Sequence, residues 1–224
     1  MRRIPLNAPT FGEEEINAAI EVLRSTYVTM GKRCREFEQA FAEYVGLDEA
    51  VFVNSGSSAN LLAFFALANH AAPRFNSKRR FVPGSEVIVP AVSWSTTFWP
   101  IVQAGGIPVF VDNDPHTLQV NPDAVRAAVS DKTVALCPVH VLGNTAPMEE
   151  ILALAEANDL WVVEDTCEAL GARYDRKLAG TFGDVATFSF FFSHHITTIE
   201  GGMIVTRNRE LAELLRCLRA HGWT

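Results

Sequence analysis

Hydrophobic positions along this chain follow two alternating periodicities. Short β-branched runs predict strands, and longer segments whose apolar residues recur every three or four positions predict helices. The predicted strands span 51–54, 87–90, 108–111, 134–139, 160–164, 185–190 and 203–206. The predicted helices span 13–25, 33–45, 58–69, 96–104, 122–129, 147–158 and 209–221.

This order of elements predicts an α/β fold with a mostly parallel seven-stranded sheet and helices on both faces, in three layers. Runs such as VIVP and WVVED are apolar without alternation, which is typical of strands buried on both sides. The polar, Pro-containing segment 70–84 is predicted to be an exposed connection. The chain ends at HGWT directly after a predicted helix, so we expect it to be part of a longer protein.

Composition narrows the class of partner. The 224 residues are 48% hydrophobic, which is enough for a sizeable core. The net charge is −7, and the longest basic run is Lys78–Arg80. A chain without a basic stripe is not expected to bind nucleic acid through its phosphates. Backbone amides and single Arg residues can still hold the phosphate of a small molecule.

The cysteines and the N-terminus bear on metal binding and location. Cys34, Cys137, Cys167 and Cys217 are widely separated. They form no CxxC pair and no Cys/His cluster with zinc spacing, so we expect no bound metal. Two arginines near the N-terminus are followed by no apolar stretch, and no window reaches the roughly 20 apolar residues of a membrane span. These features predict a soluble protein of the reducing cytoplasm, with no membrane partner.

The segment NSGSSAN follows the first predicted strand and leads into a helix. Gly56 permits a tight turn there. Ser57 and Ser58 place hydroxyls and free backbone N–H groups at a helix N-terminus, which suits a phosphate. An ordinary serine N-cap is the alternative interpretation.

Two further strand ends carry residues that suit a planar cofactor. Asp165 directly follows a buried strand, where its carboxylate needs a partner such as a protonated ring nitrogen. A helix-capping aspartate is the alternative. Trp94 lies just beyond another strand end, where an indole can stack on a heterocycle or pack as a core or rim aromatic. Trp99 fits the following helix and is predicted to lie in the core.

A fourth segment, 183–202, reads GDVATFSFFFSHHITTIEGG. Its predicted strand is followed by two adjacent histidines and then a glycine pair that permits a sharp turn. Histidine is the side chain whose proton changes hands near neutral pH. We expect one of these two histidines to act chemically and the other to be a structural hydrogen-bonding residue.

Taken in order, these segments resemble the sugar-nucleotide aminotransferase family of fold-type I PLP enzymes. NSGSSANL is similar to the phosphate loop, PAVSWSTT to the ring-stacking segment and VVEDTCEALG to the segment of the pyridine-binding aspartate. SFFFSHHITTIEGG is similar to the stretch that normally carries the Schiff-base lysine. The resemblance covers nearly the whole chain. It implies the large domain of the aspartate aminotransferase type over 1–224, with an N-terminal helical segment and a small C-terminal domain missing.

One departure from the family pattern concerns chemistry. The family lysine falls on His194, and no Lys lies within 183–202. A lysine amine bonds covalently to PLP, whereas an imidazole does not. The substitution resembles the dehydratase branch of the family, which removes the C3 hydroxyl of a nucleotide-linked 4-keto-6-deoxy sugar. PAVSWSTT, SHHITTIEGG and LRAHGWT are most similar to the type that acts on GDP-4-keto-6-deoxy-D-mannose, which is the expected substrate. A second departure is Ile199, which stands where the family turn usually has glycine.

Three alternatives remain open at this point. An iron–sulfur dehydratase type acts on a CDP-linked 4-keto-6-deoxyglucose. It is expected to show clustered cysteines near the point where this sequence reads HGWT, and none stand there. An ordinary aminotransferase would need a lysine from elsewhere, such as Lys177 in the polar stretch DRKLAG. A non-catalytic member would bind PLP or a sugar nucleotide as a sensor, although such a protein has no need of a proton shuttle.

The resemblance also implies roles for individual residues. His194 would be the catalytic residue, and Met30 and His221 are candidates for the substrate end of the site. The cofactor, PLP or its amine form PMP, would be held by Gly56, Ser57, Trp94, Asp165, Glu168 and Ser189. The implied partners are a nucleotide sugar, L-glutamate and a second copy of the chain in a homodimer. The implied pathway is deoxysugar and O-antigen biosynthesis.

Overall fold

A computed structural model describes residues 8, 11–69 and 78–223 of the chain. Positions 70–77 of the predicted connection 70–84 therefore lie outside the described residues. The helices are α1 (Glu13–Ser25), α2 (Lys32–Val45), α3 (Gly56–Ala68), α4 (Ser95–Gln103), α5 (Pro122–Ala128), α6 (Met148–Ala157) and α7 (Arg209–Arg219). The strands are β1 (Glu49–Val53), β2 (Glu86–Pro90), β3 (Ile107–Val111), β4 (Thr133–Leu136), β5 (Trp161–Asp165), β6 (Arg173–Tyr174), β7 (Lys177–Leu178), β8 (Val185–Ser189) and β9 (Gly202–Thr206).

Seven of these strands form one sheet in the order β1-β9-β8-β5-β4-β2-β3. The pairs β2 with β3, β2 with β4, β4 with β5 and β5 with β8 are parallel. Strand β9 runs antiparallel to both of its neighbours, β1 and β8. The predicted seven-stranded, mostly parallel sheet is confirmed.

Helices cover both faces of the sheet, as predicted. Successive residues of β2 point to opposite faces, so Val87 and Val89 join the core cluster with α3, α4 and α7, while Ile88 joins the cluster with α5 and α6. A third cluster packs α2 against β8 and β9, for example through Phe41 and Phe188, whose ring centroids lie 5.0 Å apart. The fold therefore has three layers, with both sheet faces buried.

Three details differ from the predicted elements. Strand β4 ends at Leu136, before Pro138, which has no N–H to donate, although Val139 still makes an isolated bridge to Asp165. A two-stranded hairpin, β6 with β7, was not expected. The prediction that Trp99 lies in the core is wrong, because 53% of its surface is exposed while it packs beside Phe98.

Helix α1 forms where the periodicity predicts it but buries no residue within the described chain. Its apolar residues stay open, with Leu23 66% exposed. The segment that follows is similar, with Tyr27 61% and Val28 64% exposed. Among the helices of the described residues, none has the length and apolar composition needed to cross a bilayer.

Candidate active site

The candidate site lies where several strands end at the same edge of the sheet. In open α/β sheets, ligands bind outside the carboxyl ends of the parallel strands. Here β5 ends at Asp165 and β8 ends at Ser189, and β1 and β2 lead into the N-termini of α3 and α4. The four sequence segments singled out above are therefore brought together by the topology of the sheet.

The segment after β1 forms the N-terminus of α3. Ser55 is the N-cap residue, and its hydroxyl oxygen accepts a hydrogen bond from the Ser58 backbone N–H at 3.0 Å. The helix therefore begins at Gly56, two residues before the predicted start, and the serine N-cap interpretation holds for Ser55. Gly56 and Ser57 lie in the first turn, where N–H groups have no partner within the helix. This turn has the geometry that binds anions.

Glycine at position 56 allows the phosphate-loop segment to approach the end of β8. A Cβ atom added at Gly56 would lie 2.6 Å from the Ser189 Cβ atom and 3.0 Å from the Cys167 Sγ atom. Gly202 is constrained in the same way, because its added Cβ would lie 2.2 Å from the Ser55 carbonyl oxygen. The two glycines thus bring the first turn of α3, which carries Ser57, against Ser189 at the end of β8. These residues, Gly56, Ser57 and Ser189, form the phosphate cradle.

The segment before α4 is tied to both the cradle and Asp165. The Ser57 hydroxyl donates to the Thr96 Oγ1 atom at 3.0 Å. The next hydroxyl, Thr97 Oγ1, donates to Asp165 Oδ2 at 2.7 Å. Trp94 is the N-cap residue of α4 and is 73% exposed. Its indole is therefore exposed, and its stacking on a planar ligand stays a prediction.

Asp165 is nearly fully buried, with 4% of its surface exposed. Its Oδ2 atom accepts from Thr97 and from Asn60 Nδ2, the latter at 3.0 Å. Its Oδ1 atom accepts from the Cys167 backbone N–H at 3.2 Å. The helix-capping alternative does not apply, because β5 is followed by β6 and no helix of the described residues begins at Asp165. The side chain is held instead by these three donors.

The thiols around Asp165 are held in their protonated form. Burial raises the pKa of Cys167 well above its usual value, and the negative charge of Asp165 raises it further. Burial and the same charge also raise the pKa of Cys137. Since the thiolate is the nucleophilic form, neither cysteine is suited to covalent catalysis here.

His194 lies in the loop that follows β8 and is half-buried. Burial lowers its pKa below the usual 6.5, and the charge of neighbouring His195 acts in the same direction. The carboxylates of Glu168 and Asp165 oppose this shift. The net lowering keeps the imidazole neutral at pH 7, so His194 can accept a proton. The Glu168 carboxylate is itself positioned by the Leu142 backbone N–H, which donates to Oε2 at 3.1 Å.

The loop carrying His194 contains a strained residue. Ile199 has φ 73°, in the left-handed region, and its side chain is 69% exposed. A β-branched side chain is unfavourable in this conformation, by roughly 1–2 kcal/mol. Glycine adopts it freely, which is the physical reason for the glycine that the family pattern has at this position.

We therefore expect Ile199→Gly to raise the free energy of unfolding by about 0.5–1 kcal/mol, after the greater backbone entropy of glycine is subtracted. Urea denaturation followed by circular dichroism measures this change. Ile196→Gly, in the same loop but without a positive φ, is the control and is expected to destabilise the protein. A destabilising Ile199→Gly change would contradict the assignment of strain.

For two of the predicted site residues, Met30 and His221, the structure describes no contact with the other residues of the site. The described contacts include no hydrogen bond from the Met30 or His221 side chain to the residues above. The Met30 carbonyl accepts from the Tyr27 hydroxyl at 3.4 Å, and His221 follows α7 with φ 62° and an exposed side chain. Their place at the substrate end of the site stays a prediction. Within the described residues, no group of three or more His, Cys, Asp or Glu side chains is placed to hold a metal ion.

The sequence interpretation missed the polar residues that support the site. Asn60, Thr97 and Thr187 form the hydrogen-bonded surroundings of Asp165. Asn60 carried a detectable signal, because it is a buried amide within the otherwise apolar helix ANLLAFFALA.

A second buried pair was also missed. His140 and Glu164 have fully buried side chains, and His140 Nε2 lies 3.0 Å from Glu164 Oε2. The His140 Nδ1 atom accepts from the Ala146 N–H at 3.0 Å, so Nε2 carries the hydrogen and donates to Glu164. Glu164 also accepts from backbone N–H groups, including that of Gly180 at 2.8 Å. This pair fixes the chain segments next to Asp165.

The fold and this site define a domain of the PLP-dependent aminotransferase fold type. The family model of the DegT/DnrJ/EryC1/StrS aminotransferase family matches residues 9–224, and the chain belongs to that family. The dehydratase of Yersinia pseudotuberculosis named GDP-4-keto-6-deoxy-D-mannose 3-dehydratase is 46% identical over 228 residues, covering 100% of this chain and 56% of the relative.

Solved structures give the same result. The E. coli GDP-4-keto-6-deoxy-D-mannose-3-dehydratase with bound hydrated PLP superposes with a TM-score of 0.91 at 45% identity, covering 100% of this chain and 56% of that chain. A structure of GDP-4-keto-6-deoxymannose-3-dehydratase with a trapped PLP–glutamate geminal diamine matches with a TM-score of 0.91 at 44% identity, covering 99% and 56%. The chain thus spans about 56% of the length of these relatives.

Proposed function

We propose that residues 1–224 form the cofactor-binding large domain of a longer PLP/PMP-dependent dehydratase. The enzyme removes the C3 hydroxyl of a nucleotide-linked 4-keto-6-deoxy sugar, and L-glutamate regenerates PMP. The single observation that carries this proposal is His194, which stands at the family lysine position as a half-buried imidazole with a lowered pKa. The similarity to the two dehydratases above supports GDP-4-keto-6-deoxy-D-mannose as the substrate.

The residues of the site fit such a cofactor. The cradle at Gly56 has no room for a Cβ atom and places the first turn of α3 beside Ser189, which suits a phosphate. Asp165 offers a buried carboxylate to a ring N–H, and the exposed indole of Trp94 offers a stacking surface. Together these groups would hold the phosphate, the ring nitrogen and one ring face without a covalent bond from lysine.

When bound, PMP supplies an amine for the 4-keto carbon of the sugar and a protonated ring that withdraws electrons. The chain's own residues do the rest. Asp165 holds the proton on the ring nitrogen through its negative charge. His194, neutral at pH 7, would accept at its unprotonated ring nitrogen the proton released by the carbon that bears the PMP amine, and would return it to the C3 oxygen, which leaves as water. One imidazole can serve as base and then as acid because histidine is the side chain that gains and loses a proton near neutral pH.

The lowered pKa of His194 predicts the pH dependence of the reaction. The base form of the imidazole is required in the free enzyme, so kcat/KM should rise with pH through the pKa of His194 and level off above it. Because burial lowers that pKa, the midpoint should lie below 6.5. Rates measured between about pH 5 and pH 9 test this expectation. A midpoint above 6.5 would contradict the burial of a neutral His194.

The rival chemistries differ in what they require. Lys177 is exposed in the two-stranded hairpin β6 with β7, so it is poorly placed to serve an aminotransferase at the edge defined by Asp165. The iron–sulfur type requires clustered cysteines, which the described residues lack. A sensor without catalysis would not need His194 beside Asp165 and Glu168.

The assembly and location are part of the same proposal. The protein would be a cytoplasmic homodimer that serves deoxysugar and O-antigen biosynthesis. The dimer would cover the apolar residues of α1 and of 27–30 that the described chain leaves exposed. Sedimentation equilibrium of the full-length protein tests the dimer.

The full-length protein should be incubated with PLP, L-glutamate and GDP-4-keto-6-deoxy-D-mannose, and its product read by mass spectrometry. Loss of the C3 oxygen with the ketone retained, together with ammonia release, is the expected result. A product with an amine at C4 and an intact C3 hydroxyl would make the protein an aminotransferase and overturn the proposal. The CDP-linked substrate serves as the comparison that tests the nucleotide.

A further inference from the structure

The helix α3 buries one amide among apolar residues, and that amide contacts Asp165. Asn60 is 2% exposed, and its Nδ2 atom donates to Asp165 Oδ2 at 3.0 Å and to the Thr96 carbonyl at 3.2 Å. Because both hydrogens of the amide are used, Nδ2 rather than Oδ1 must face Asp165. A buried amide with every partner satisfied holds one orientation.

The opposite end of the same amide is fixed by Thr187 in β8. The Thr187 hydroxyl donates to Asn60 Oδ1 at 2.6 Å. It also lies 3.3 Å from the Glu164 carbonyl, but a hydroxyl has one hydrogen and the shorter contact receives it. A chain of hydrogen bonds therefore runs from Thr187 through Asn60 to Asp165, and all three side chains are buried.

The two oxygens of Asp165 are left in different states. Oδ2 accepts from both Asn60 and Thr97, which uses both of its lone pairs. Oδ1 accepts the longer hydrogen bond of the Cys167 N–H, at 3.2 Å, and the Cys167 thiol also interacts with the side chains of Asp165 and Thr187. Oδ1 is therefore held less tightly than Oδ2. The network determines which oxygen of the carboxylate can meet a further donor.

We propose that Thr187 and Asn60 are positioning residues that lock the rotamer of Asp165 and present Oδ1 to the ring N–H of the cofactor. This inference rests on the proposed function, since it names the donor that Oδ1 would accept. Thr187 reaches Asp165 through Asn60 by hydrogen bonds of 2.6 and 3.0 Å, and the Cys167 thiol, which interacts with both Thr187 and Asp165, is a weaker second path. Most of the effect of Thr187 on cofactor binding should therefore be lost when Asn60 is removed.

The experiment measures the PLP dissociation constant of the full-length protein by spectroscopic titration. Thr187→Val removes the hydroxyl and keeps the β-branched shape, while Thr187→Ser keeps the hydroxyl and is the matched control. Loss of a hydrogen bond in a chain that ends on a charge should raise the dissociation constant about tenfold in Thr187→Val and Asn60→Ala. Thr187→Ser should stay within about twofold of wild type. The dissociation constant of the double variant should lie close to that of Asn60→Ala alone.

A second readout separates positioning from general loss of structure. The absorbance of the bound cofactor, followed against pH, reports the pH at which the ring nitrogen loses its proton. That pH should fall in Thr187→Val, because a misaligned carboxylate holds the ring proton less well. If Asn60→Ala does not fold, the Thr187→Val and Thr187→Ser pair carries the test through both readouts.

Two results would overturn the positioning role of Thr187 and Asn60 while leaving the proposed function in place. One is that the changes at Thr187 and Asn60 raise the PLP dissociation constant independently, so that their effects multiply in the double variant. The other is that Thr187→Ser and Thr187→Val raise it equally. Failure of the wild-type protein to bind PLP would instead overturn the proposed function itself. The two failures are therefore distinguishable within one set of titrations.

Discussion

Replacing His194 with asparagine is expected to lower kcat for loss of the C3 hydroxyl by about 10²–10⁴-fold. Asparagine has nearly the size of the imidazole and keeps a polar side chain, but it can neither accept nor return a proton near pH 7. Binding of PLP and of the sugar should change little, since the phosphate cradle and Asp165 are untouched. Steady-state kinetics by mass spectrometry, with a separate PLP titration, measure both effects.

The adjacent histidine provides the control. His195 is exposed, and His195→Asn should leave kcat within a few-fold of wild type, as is usual for a residue outside the chemistry. If His194→Asn dehydrated the sugar at a near-normal rate, or if the two variants lost activity equally, the assignment of the proton shuttle would be wrong.

His194→Lys tests the same position by restoring the family residue. A lysine amine there should bond to PLP and give the corresponding absorbance change, while dehydration is lost. Retained dehydration in this variant would show that the imidazole is not required.

The sheet could be predicted from sequence because its central strands are buried on both faces and carry uninterrupted apolar runs. Segments such as VIVP and WVVED are too short for a helix and are typical of such strands. The ends of elements were less certain, since local contacts determine them. Helix α3 begins at Gly56 because Ser55, not a later residue, caps it.

The four segments that carry the predicted site residues could be identified because each follows a strand end in the same order as in the family, and the roles of those residues stay predictions. The contacts that the supporting residues make could not be predicted, although the amide of Asn60 stands out in an apolar helix. Asn60 and Thr187 are separated by 127 positions, and nothing in either local sequence reveals the contact. His140 and Glu164 meet only through the neighbouring ends of β4 and β5.

The solvent exposure of individual side chains could not be predicted as well as the elements that carry them. Trp99 was predicted to lie in the core yet is half exposed on α4, a helix that packs against the edge strand β3 through Phe98 and Phe110. Hydrophobic periodicity identifies the face of a helix that is apolar, but it does not say whether this chain or another one covers that face.

Asp165→Asn is also expected to have a large effect on PLP binding and on dehydration, because it removes the buried negative charge while keeping the shape of the side chain. The asparagine oxygen can still accept from Asn60 and Thr97 at the Oδ2 position. The amide nitrogen then occupies the Oδ1 position, where it donates and no longer accepts. A ring nitrogen facing a donor is held in its unprotonated form, which withdraws electrons poorly. The exchange of one atom thus reverses the electrostatic preference of the site.

We expect Asp165→Asn to weaken PLP binding by about 10–100-fold, from loss of a hydrogen bond to a charged group. Dehydration should fall further than binding, since the ring must stay protonated during the reaction. Asp184→Asn is the matched control, because Asp184 precedes β8 at the opposite edge of the sheet and pairs with Lys78. That change should lower the free energy of unfolding without altering PLP affinity. If Asp184→Asn weakened PLP binding as much as Asp165→Asn, the loss would reflect stability and the role of Asp165 would be refuted.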